Sequence, residues 1–349
     1  MKHDPDQLLR LLGTAQAEPL IHAVDQSADL VFDLIERYRM ACEPVRKGWL
    51  QVAHSPGAVQ ALHARAEQWA RRGVRVEVLD RAAVARRVGS QAFAGGWIDP
   101  RAGSLQPLSY TRGLARAAIG LGAQVHGDTL ATGLQRQGAR WRVATSTGAT
   151  ITADRVVIAT NGYTGSLWPQ LRQTVISANS FIVATQPLSG AQGDAILGGG
   201  ETCSTAQRLL LYFRRDTQGR LVMGGRGHFA DPSGPQDFRH LERALALLFP
   251  QLGPLHYDYR WAGRIAITRD FMPHVHEPAP GITIALGYNG RGIAMATAMG
   301  KHLAARLGGA PDSDFPFPIS RIKPIPFHGL QRLYIAAGVT WYSLLDKLG

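Results

Sequence analysis

Cysteine is scarce in this chain of 349 residues, which contains only Cys42 and Cys203. The two lie far apart and outside any C-x-x-C pair, so the sequence supports neither a disulfide framework nor a zinc site. Long apolar runs are also missing, because stretches such as 209–213 and 244–249 fall far short of the roughly 20 residues that cross a bilayer. We therefore predict a soluble protein with two reduced thiols.

The first residues lack the apolar core of a signal peptide and instead contain Asp4, Pro5 and Asp6. A cytoplasmic location is the prediction that follows. Acidic residues are fewer than basic ones. The chain has 26 aspartates and glutamates against 38 lysines and arginines, which gives a net charge of +12. The basic residues are spread along the chain rather than clustered, so we do not predict nucleic-acid binding. An anionic cofactor or substrate is compatible with the charge.

Hydrophobic residues make up 45% of the chain and charged residues 18%, which is typical of one large or two ordinary globular domains. Local signals predict several helices. Ser55-Pro56 opens a helix that stops at Gly73, Asp80 caps a short helix to Val88, and Pro107 suits the first turn of a helix to Leu121.

Two apolar runs predict strands of an α/β layer. The run 156–159 is continuous, as expected of a strand covered on both faces, and it ends at Thr160-Asn161-Gly162. The run 282–286 leads through Gly287–Gly292 into a helical pattern from Ile293 to Leu307. A strand that passes through a glycine turn into a helix N-terminus directs unpaired N–H groups and partial positive charge at a ligand. Anionic or electron-rich ligand atoms are therefore expected there.

Between 174 and 259 the signals become rich in short strands, with one amphipathic helix from Phe238 to Phe249. This change predicts a second, mostly antiparallel domain inserted into the first. Five prolines between 311 and 328 predict an extended surface segment, followed by a helix over 331–348 that docks on the body.

Four stretches together resemble one known family: 154–164 (DRVVIATNGYT), 221–227 (LVMGGRG), 261–273 (WAGRIAITRDFMP) and 287–300 (GYNGRGIAMATAMG). The sequence resembles the D-amino-acid-oxidase-like (DAO) family of FAD-dependent amine oxidoreductases, and most of all its γ-glutamylputrescine oxidoreductase-like branch. The resemblance implies an α/β fold in which a Rossmann-like FAD/NAD(P)-binding domain carries an inserted, mostly antiparallel β substrate domain.

In that family the glycine turn faces the pyrimidine end of the flavin ring. The resemblance therefore implies FAD as the cofactor and assigns eleven residues to it: Leu130, Thr160, Asn161, Gly162, Gly287, Tyr288, Asn289, Gly290, Arg291, Gly292 and Ile293. We expect Tyr288 and Asn289 to act through backbone geometry, because Asn tolerates left-handed dihedral angles. The implied domains are 1–26, 104–172 and 273–310 for FAD, 27–103 and 173–272 for substrate, and 311–349 as a C-terminal tail.

The chain departs from the family pattern in one respect, because its 349 residues contain no strand-GxGxxG-helix unit. We interpret it as an N-terminally truncated relative whose central sheet has an open edge. Weak or absent FAD binding by these residues alone is the expectation, since the pyrophosphate has no glycine-rich turn.

The implied reaction is oxidation of the C–N bond of an amine or amino-acid-like small molecule to an imine, with oxygen as one possible electron acceptor. An inactive remnant or interaction protein remains the alternative. Substrate candidates are Tyr212, Arg214, Arg226 and Arg264. The family's carboxylate-binding arginine corresponds to Ile265, with Arg264 on the opposite strand face, so an amine with a remote charge is favoured over a free α-amino acid. His274 and His276 have no third ligand nearby and do not predict a metal site.

Overall fold

The computed structural model describes residues 1–207 and 210–331. Within these ranges the α-helices are α1 (Pro5–Leu12), α2 (Thr14–Asp25), α3 (Ser27–Arg37), α4 (Pro56–Ala70), α5 (Arg81–Val88), α6 (Pro107–Gly120), α7 (Gly190–Asp194), α8 (Arg239–Leu248) and α9 (Gly292–Leu307). The β-strands are β1 (Trp49–Ala53), β2 (Glu77–Asp80), β3 (Gly95–Asp99), β4 (Ala131–Gln137), β5 (Arg140–Thr145), β6 (Thr150–Ala153), β7 (Val156–Ile158), β8 (Val175–Pro187), β9 (Thr202–Thr205), β10 (Leu211–Arg215), β11 (Arg220–Arg226), β12 (Tyr257–Thr268), β13 (His274–Ala279) and β14 (Ile282–Leu286).

Helices begin where the sequence places capping residues, which confirms three of the local predictions. The Ser55 hydroxyl accepts the Ala58 N–H at 3.3 Å before α4, and the Asp80 carboxylate accepts the Ala83 N–H at 2.7 Å before α5. Each bond satisfies a first-turn N–H group that has no partner within its helix. Proline at the first position of α6 gives up no hydrogen bond, because that N–H group would be unpaired in any residue.

The chain divides into two compact units. The first consists of Met1–Ala41, Pro107–Ser177 and Arg264–Gln331, and the second contains Cys42–Gln106 and Ala178–Gly263. The first unit holds two small sheets. One has the strand order β13-β14-β7, with β14 and β7 parallel, and the other is the antiparallel meander β4-β5-β6. Tight turns at Gly138 and Gly148, both with positive φ, connect the meander strands.

The bounds and packing of the first unit differ from the sequence expectation. Residues 27–41, 173–177 and 264–272 group with the first unit rather than with the substrate domain, and 104–106 group with the second unit. Residues 27–41 include α3, which packs against α9. The prediction that the strand at 156–159 is covered on both faces was wrong. In the described part of the chain β7 pairs only with β14, and Val157 is 45% exposed while Ile158 is 4% exposed. The functional names of the two domains stay predictions.

The proline-rich segment after α9 is attached to the first unit. The Ser320 N–H donates to the Val275 carbonyl at 2.8 Å, and the Phe317 side chain is buried. The segment is therefore anchored at the edge of β13. Apart from Gln331, the helix predicted over 331–348 lies outside the described residues.

The second unit is built on an eight-stranded sheet with the order β12-β8-β11-β10-β9-β1-β3-β2. Its described registers are antiparallel except for the β1–β9 pair, which agrees with the predicted mostly antiparallel domain. Alternate residues of β8, β10 and β11 point to one apolar face that α8 covers. The largest buried side chains of this core include Phe181, Phe213, Met223 and Phe249.

We expect the substitution Phe213→Ala to lower the free energy of unfolding by about 3–5 kcal/mol, the usual cost of a cavity left by a buried aromatic ring. Phe213 is 1% exposed, and its ring meets that of Phe249 edge-on at 5.6 Å. Leu247→Ala on α8 is the matched control, because Leu247 is 80% exposed. Urea unfolding measures both, and equal losses for the two variants would contradict this description of the core.

Candidate functional site

A turn with three left-handed residues joins β14 to α9. All five residues of β14 are buried, and the chain then takes positive φ at Gly287 (86°), Asn289 (53°) and Gly290 (81°). At Gly287 only glycine fits, because a Cβ atom would lie 2.3 Å from the Thr268 methyl carbon. The left-handed conformation expected for Asn289 is confirmed.

The Asn289 side chain holds this turn closed through hydrogen bonds that the sequence did not predict. Its Oδ1 atom accepts the Thr268 N–H at 3.0 Å, and its Nδ2 donates to the Gly287 carbonyl at 2.6 Å. The Asn289 N–H also donates to the Ala266 carbonyl at 3.1 Å. Asn289 is 7% exposed, so these buried groups have no access to water as an alternative partner. The end of β12 and the glycine turn are therefore bound together.

The second predicted turn, 160–162, lies beside the first. β7 and β14 are parallel neighbours, so the two turns that follow these strands lie at the same edge of the sheet. The Gly287 N–H donates to Asn161 Oδ1 at 3.0 Å, which connects the turns directly. Gly162 is required because a Cβ atom there would lie 2.6 Å from the Arg264 carbonyl oxygen.

The N-terminus of α9 is open on the side of the glycine turn. Arg291 is its N-cap residue and forms no side-chain cap. The N–H groups of the first turn, beginning with Gly292 and Ile293, have no partners within the helix. A Cβ atom on Gly292 would meet nothing within 4 Å, and one on Gly290 would meet only Ile265 Cδ1, at 3.7 Å. The helix end can therefore receive an electron-rich ligand edge.

Tyr288 is a buried residue of the glycine turn. It is 8% exposed, and burial raises the pKa of its phenol to about 12, so the hydroxyl stays protonated at neutral pH. Leu130 lies before β4 and is 68% exposed, with its backbone exchanging hydrogen bonds with Ser146. In the described residues no hydrogen bond joins Leu130 to either turn. Its predicted contact with the cofactor stays a prediction.

Three of the four substrate candidates share one face of the sheet in the second unit. Tyr212 and Arg214 alternate along β10, and register pairs Tyr212 with Gly224 and places Arg226 opposite Ser180. This face is opposite the apolar core face, because Phe213 and Met223 point the other way. The candidates thus form a polar, half-buried strip.

Two further residues shape this strip and were not predicted. The Tyr212 phenol forms a short hydrogen bond with the Ser180 hydroxyl. Its ring covers Gly224, where a Cβ atom would come within 2.2 Å of a ring carbon. Burial raises the pKa of Tyr212 despite the Ser180 bond. Burial lowers the pKa of Arg214, although the nearby carboxylates of Asp216 and Glu43 oppose this shift.

Arg264 is the fourth candidate and lies in the first unit. It is exposed, and its guanidinium carbon lies 5.9 Å from the centroid of the Tyr163 ring, whose hydroxyl accepts the Arg264 N–H at 3.3 Å. Ile265 instead faces Gly290. Strand alternation therefore puts Ile265 next to the glycine turn and Arg264 on the other face.

No group of three or more His, Cys, Asp or Glu residues in the described ranges has the arrangement of a metal site. The His274 and His276 rings are 5.5 Å apart, and His276 Nδ1 is hydrogen bonded to the Ser320 carbonyl at 2.8 Å. Cys42 and Cys203 are buried free thiols whose pKa values are raised by burial. In the part of the chain described here, no helix has the length and apolar composition needed to cross a bilayer.

We expect Asn289→Ala to lower the free energy of unfolding by about 2–4 kcal/mol, because it leaves buried backbone groups unpaired and puts alanine at a positive φ that asparagine tolerates better. Asn289→Gly loses the same side-chain bonds without the backbone strain, so it should be less destabilising by about 1 kcal/mol. Urea unfolding measures both variants. A change under about 0.5 kcal/mol for Asn289→Ala would show that the side chain does not hold the turn.

Comparison with known proteins gives consistent results. The family model described as "FAD dependent oxidoreductase" (DAO) matches residues 8–306. The chain is 30% identical to "Probable oxidoreductase OrdL" of Rhizobium meliloti (strain 1021) over 349 residues, covering 98% of this chain and 80% of that protein. It is 28% identical to "Gamma-glutamylputrescine oxidoreductase" of Escherichia coli (strain K12) over 357 residues, covering 99% of this chain and 81% of that protein.

Among solved structures, glycine oxidase from Geobacillus kaustophilus superimposes with a TM-score of 0.73 at 20% identity, covering 85% of this chain and 80% of that one. Iminodiacetate oxidase from Chelativorans sp. BNC1 superimposes with a TM-score of 0.69 at 18% identity, covering 84% of this chain and 81% of that one. These likenesses confirm the predicted fold. The chain belongs to the DAO family of FAD-dependent oxidoreductases.

Proposed function

We propose that this protein oxidises the C–N bond of an amine, with the pyrimidine edge of FAD held against the glycine turn and the N-terminus of α9. FAD, when bound, supplies the acceptor for the hydride that leaves the substrate carbon. The observation that carries the proposal is the open helix end, where Gly290 and Gly292 leave space and the first-turn N–H groups lack helical partners. The family relationship supports the same cofactor.

The residues present fit one end of FAD. Helix N–H groups and the positive end of the α9 dipole would stabilise negative charge on the ring edge, which grows when the ring accepts a hydride. The pyrophosphate is different, because the 349 residues contain no GxGxxG turn to receive it. We therefore propose that these residues bind the ring portion and gain little affinity from the rest of the dinucleotide.

Ile265 bears on the choice of substrate. Its side chain faces Gly290, and it stands at the position that the family resemblance gives to an arginine that holds an α-carboxylate in a bidentate pair. An apolar wall here also excludes water from the reacting carbon. We propose an amine whose charged group is remote from that carbon. Tyr212, Arg214 and Arg226 stay predicted substrate residues of the second unit.

The net reaction balances with oxygen as the proposed electron acceptor. The carbon loses a hydride and the nitrogen a proton, which gives an imine, and water then cleaves the imine to a carbonyl compound and a released amine. Amine, oxygen and water thus become carbonyl compound, released amine and hydrogen peroxide. The substrate must bind as the neutral amine, since the nitrogen lone pair forms the new C=N bond. A cytoplasmic location stays a prediction.

A second candidate is a protein of this fold that acts by binding a partner rather than by catalysis. One observation favours it, the exposure of Val157 on β7, which lies at the edge of its sheet in the described residues. Exposed strand edges readily pair with another chain. Flavin binding discriminates between the two candidates.

Riboflavin and FAD should bind this chain with affinities within about tenfold of each other, or about 1.4 kcal/mol, because the ring carries most of the contacts. Gly292→Leu should weaken riboflavin binding at least about tenfold, since the added side chain fills the space before α9. Gly300→Leu is the matched control on the same helix, where a Cβ atom also meets nothing within 4 Å. Fluorescence titration measures all three proteins.

Stoichiometric, tight FAD binding with weak riboflavin binding would contradict the expected weak dinucleotide affinity. If neither flavin binds, or if both leucine variants bind equally well, the ring is not held at this helix end. The non-catalytic candidate then becomes the better description.

With FAD supplied in excess, we expect kcat/KM for γ-glutamylputrescine to exceed that for glycine or D-alanine by at least about tenfold, since Ile265 offers no carboxylate partner. Peroxide release and product carbonyl are both measured. Gly292→Leu is the control and should lose activity towards every substrate. Preferential turnover of glycine or D-alanine would show that a residue other than Ile265 binds the substrate carboxylate.

A further inference from the structure

The first unit contains a groove that shares no residue with the glycine turn. One wall is the segment between β12 and β13, and the other is the proline-rich segment 318–325. Its volume is about 570 Å³, within the usual range of about 300–1,000 Å³ for small-molecule sites. Leu12, Met272 and Ile325 supply apolar lining. The groove is thus large enough for a small organic molecule.

Three cations surround this groove: Arg269, Arg321 and Lys323. All three are exposed, and none of them forms a hydrogen bond or ion pair with a described residue. They come from both walls, with Arg269 on one and the other two on the facing segment. All three positive charges therefore line the groove, and no ion pair with a described residue neutralises them.

Asp270 is the one carboxylate among the residues that line the groove, and it has hydrogen-bond partners of its own. His274 Nε2 lies 3.0 Å from its Oδ1 atom, and the Met272 N–H donates to the same atom at 3.1 Å. Burial acts to raise the pKa of Asp270, but the His274 hydrogen bond and charge, with the backbone N–H groups, lower it to about 2. Asp270 thus stays ionised and paired at neutral pH, and it leaves the three cations available.

We propose that this groove binds a compact oxyanion with two or more negative charges, an organic carboxylate or phosphate whose carbon skeleton rests on the apolar lining. Arginine forks match carboxylate and phosphate oxygens, and lysine adds a point charge that reaches either. The site is independent of the proposed oxidase function, because none of its lining residues belongs to the two turns that would hold the flavin.

The test uses citrate as the carboxylate probe and fructose 1,6-bisphosphate as the phosphate probe, titrated calorimetrically at constant ionic strength. Arg321→Gln with Lys323→Gln should weaken binding of the preferred probe at least about tenfold. Arg112→Gln with Arg116→Gln is the matched control, since it removes the same charge from exposed positions of α6 in the same unit. Hydrogen exchange locates the bound probe and should show protection at 269–274 and 318–325.

Binding of one probe alone supports the proposal and assigns the class of oxyanion. Equal losses of affinity in the groove and control variants would overturn it, because they would show attraction to the net charge rather than to a site. The proposal is also overturned if neither probe binds the unmodified protein, or if protection from hydrogen exchange appears at the N-terminus of α9 instead of in the groove. The last result would assign the anion to the flavin end of the unit.

Discussion

A left-handed backbone held by one buried amide is the constraint on which the candidate site depends. Three residues of the turn after β14 have positive φ, a conformation that costs free energy unless the surroundings maintain it. Asn289 maintains it by binding Thr268 on β12 and Gly287 on the turn itself. Because the Gly287 N–H also donates to Asn161 Oδ1, two amide side chains together fix the relation between the strand ends and the start of α9. The direction of the helix N-terminus follows from these bonds.

This arrangement explains the chemistry available at that sheet edge. The first-turn N–H groups of α9 face open space beside two glycines, and the adjacent side chain from β12 is the apolar Ile265. Such a place would stabilise negative charge on a ring edge, and Ile265 itself offers no ion pair to an α-carboxylate. The proposed flavin-ring site and the proposed choice of substrate thus rest on the same contacts, which lie within one compact unit.

The helix starts and the glycine turn before α9 could be predicted from the sequence, because the patterns that indicate them are local. Ser55, Asp80 and Pro107 mark helix starts by chemistry that acts within one turn, and the strand-glycine-helix pattern predicted the turn before α9. The bond between Asn289 and Thr268 joins residues 21 positions apart, and the bond between Ser180 and Tyr212 joins residues 32 apart, so no local pattern shows them. Val157 was misassigned for a related reason: an apolar run predicts a strand, but the neighbours that cover it are set by the tertiary fold.

The most direct measurement of the central claim is a crystal structure of this chain with riboflavin bound. We expect a pyrimidine-edge oxygen of the ring to lie about 3 Å from first-turn N–H groups of α9, with Asn289 still bound to Thr268 and Gly287. A ring bound elsewhere, or a glycine turn that opens to admit it while Asn289 releases both partners, would contradict the account.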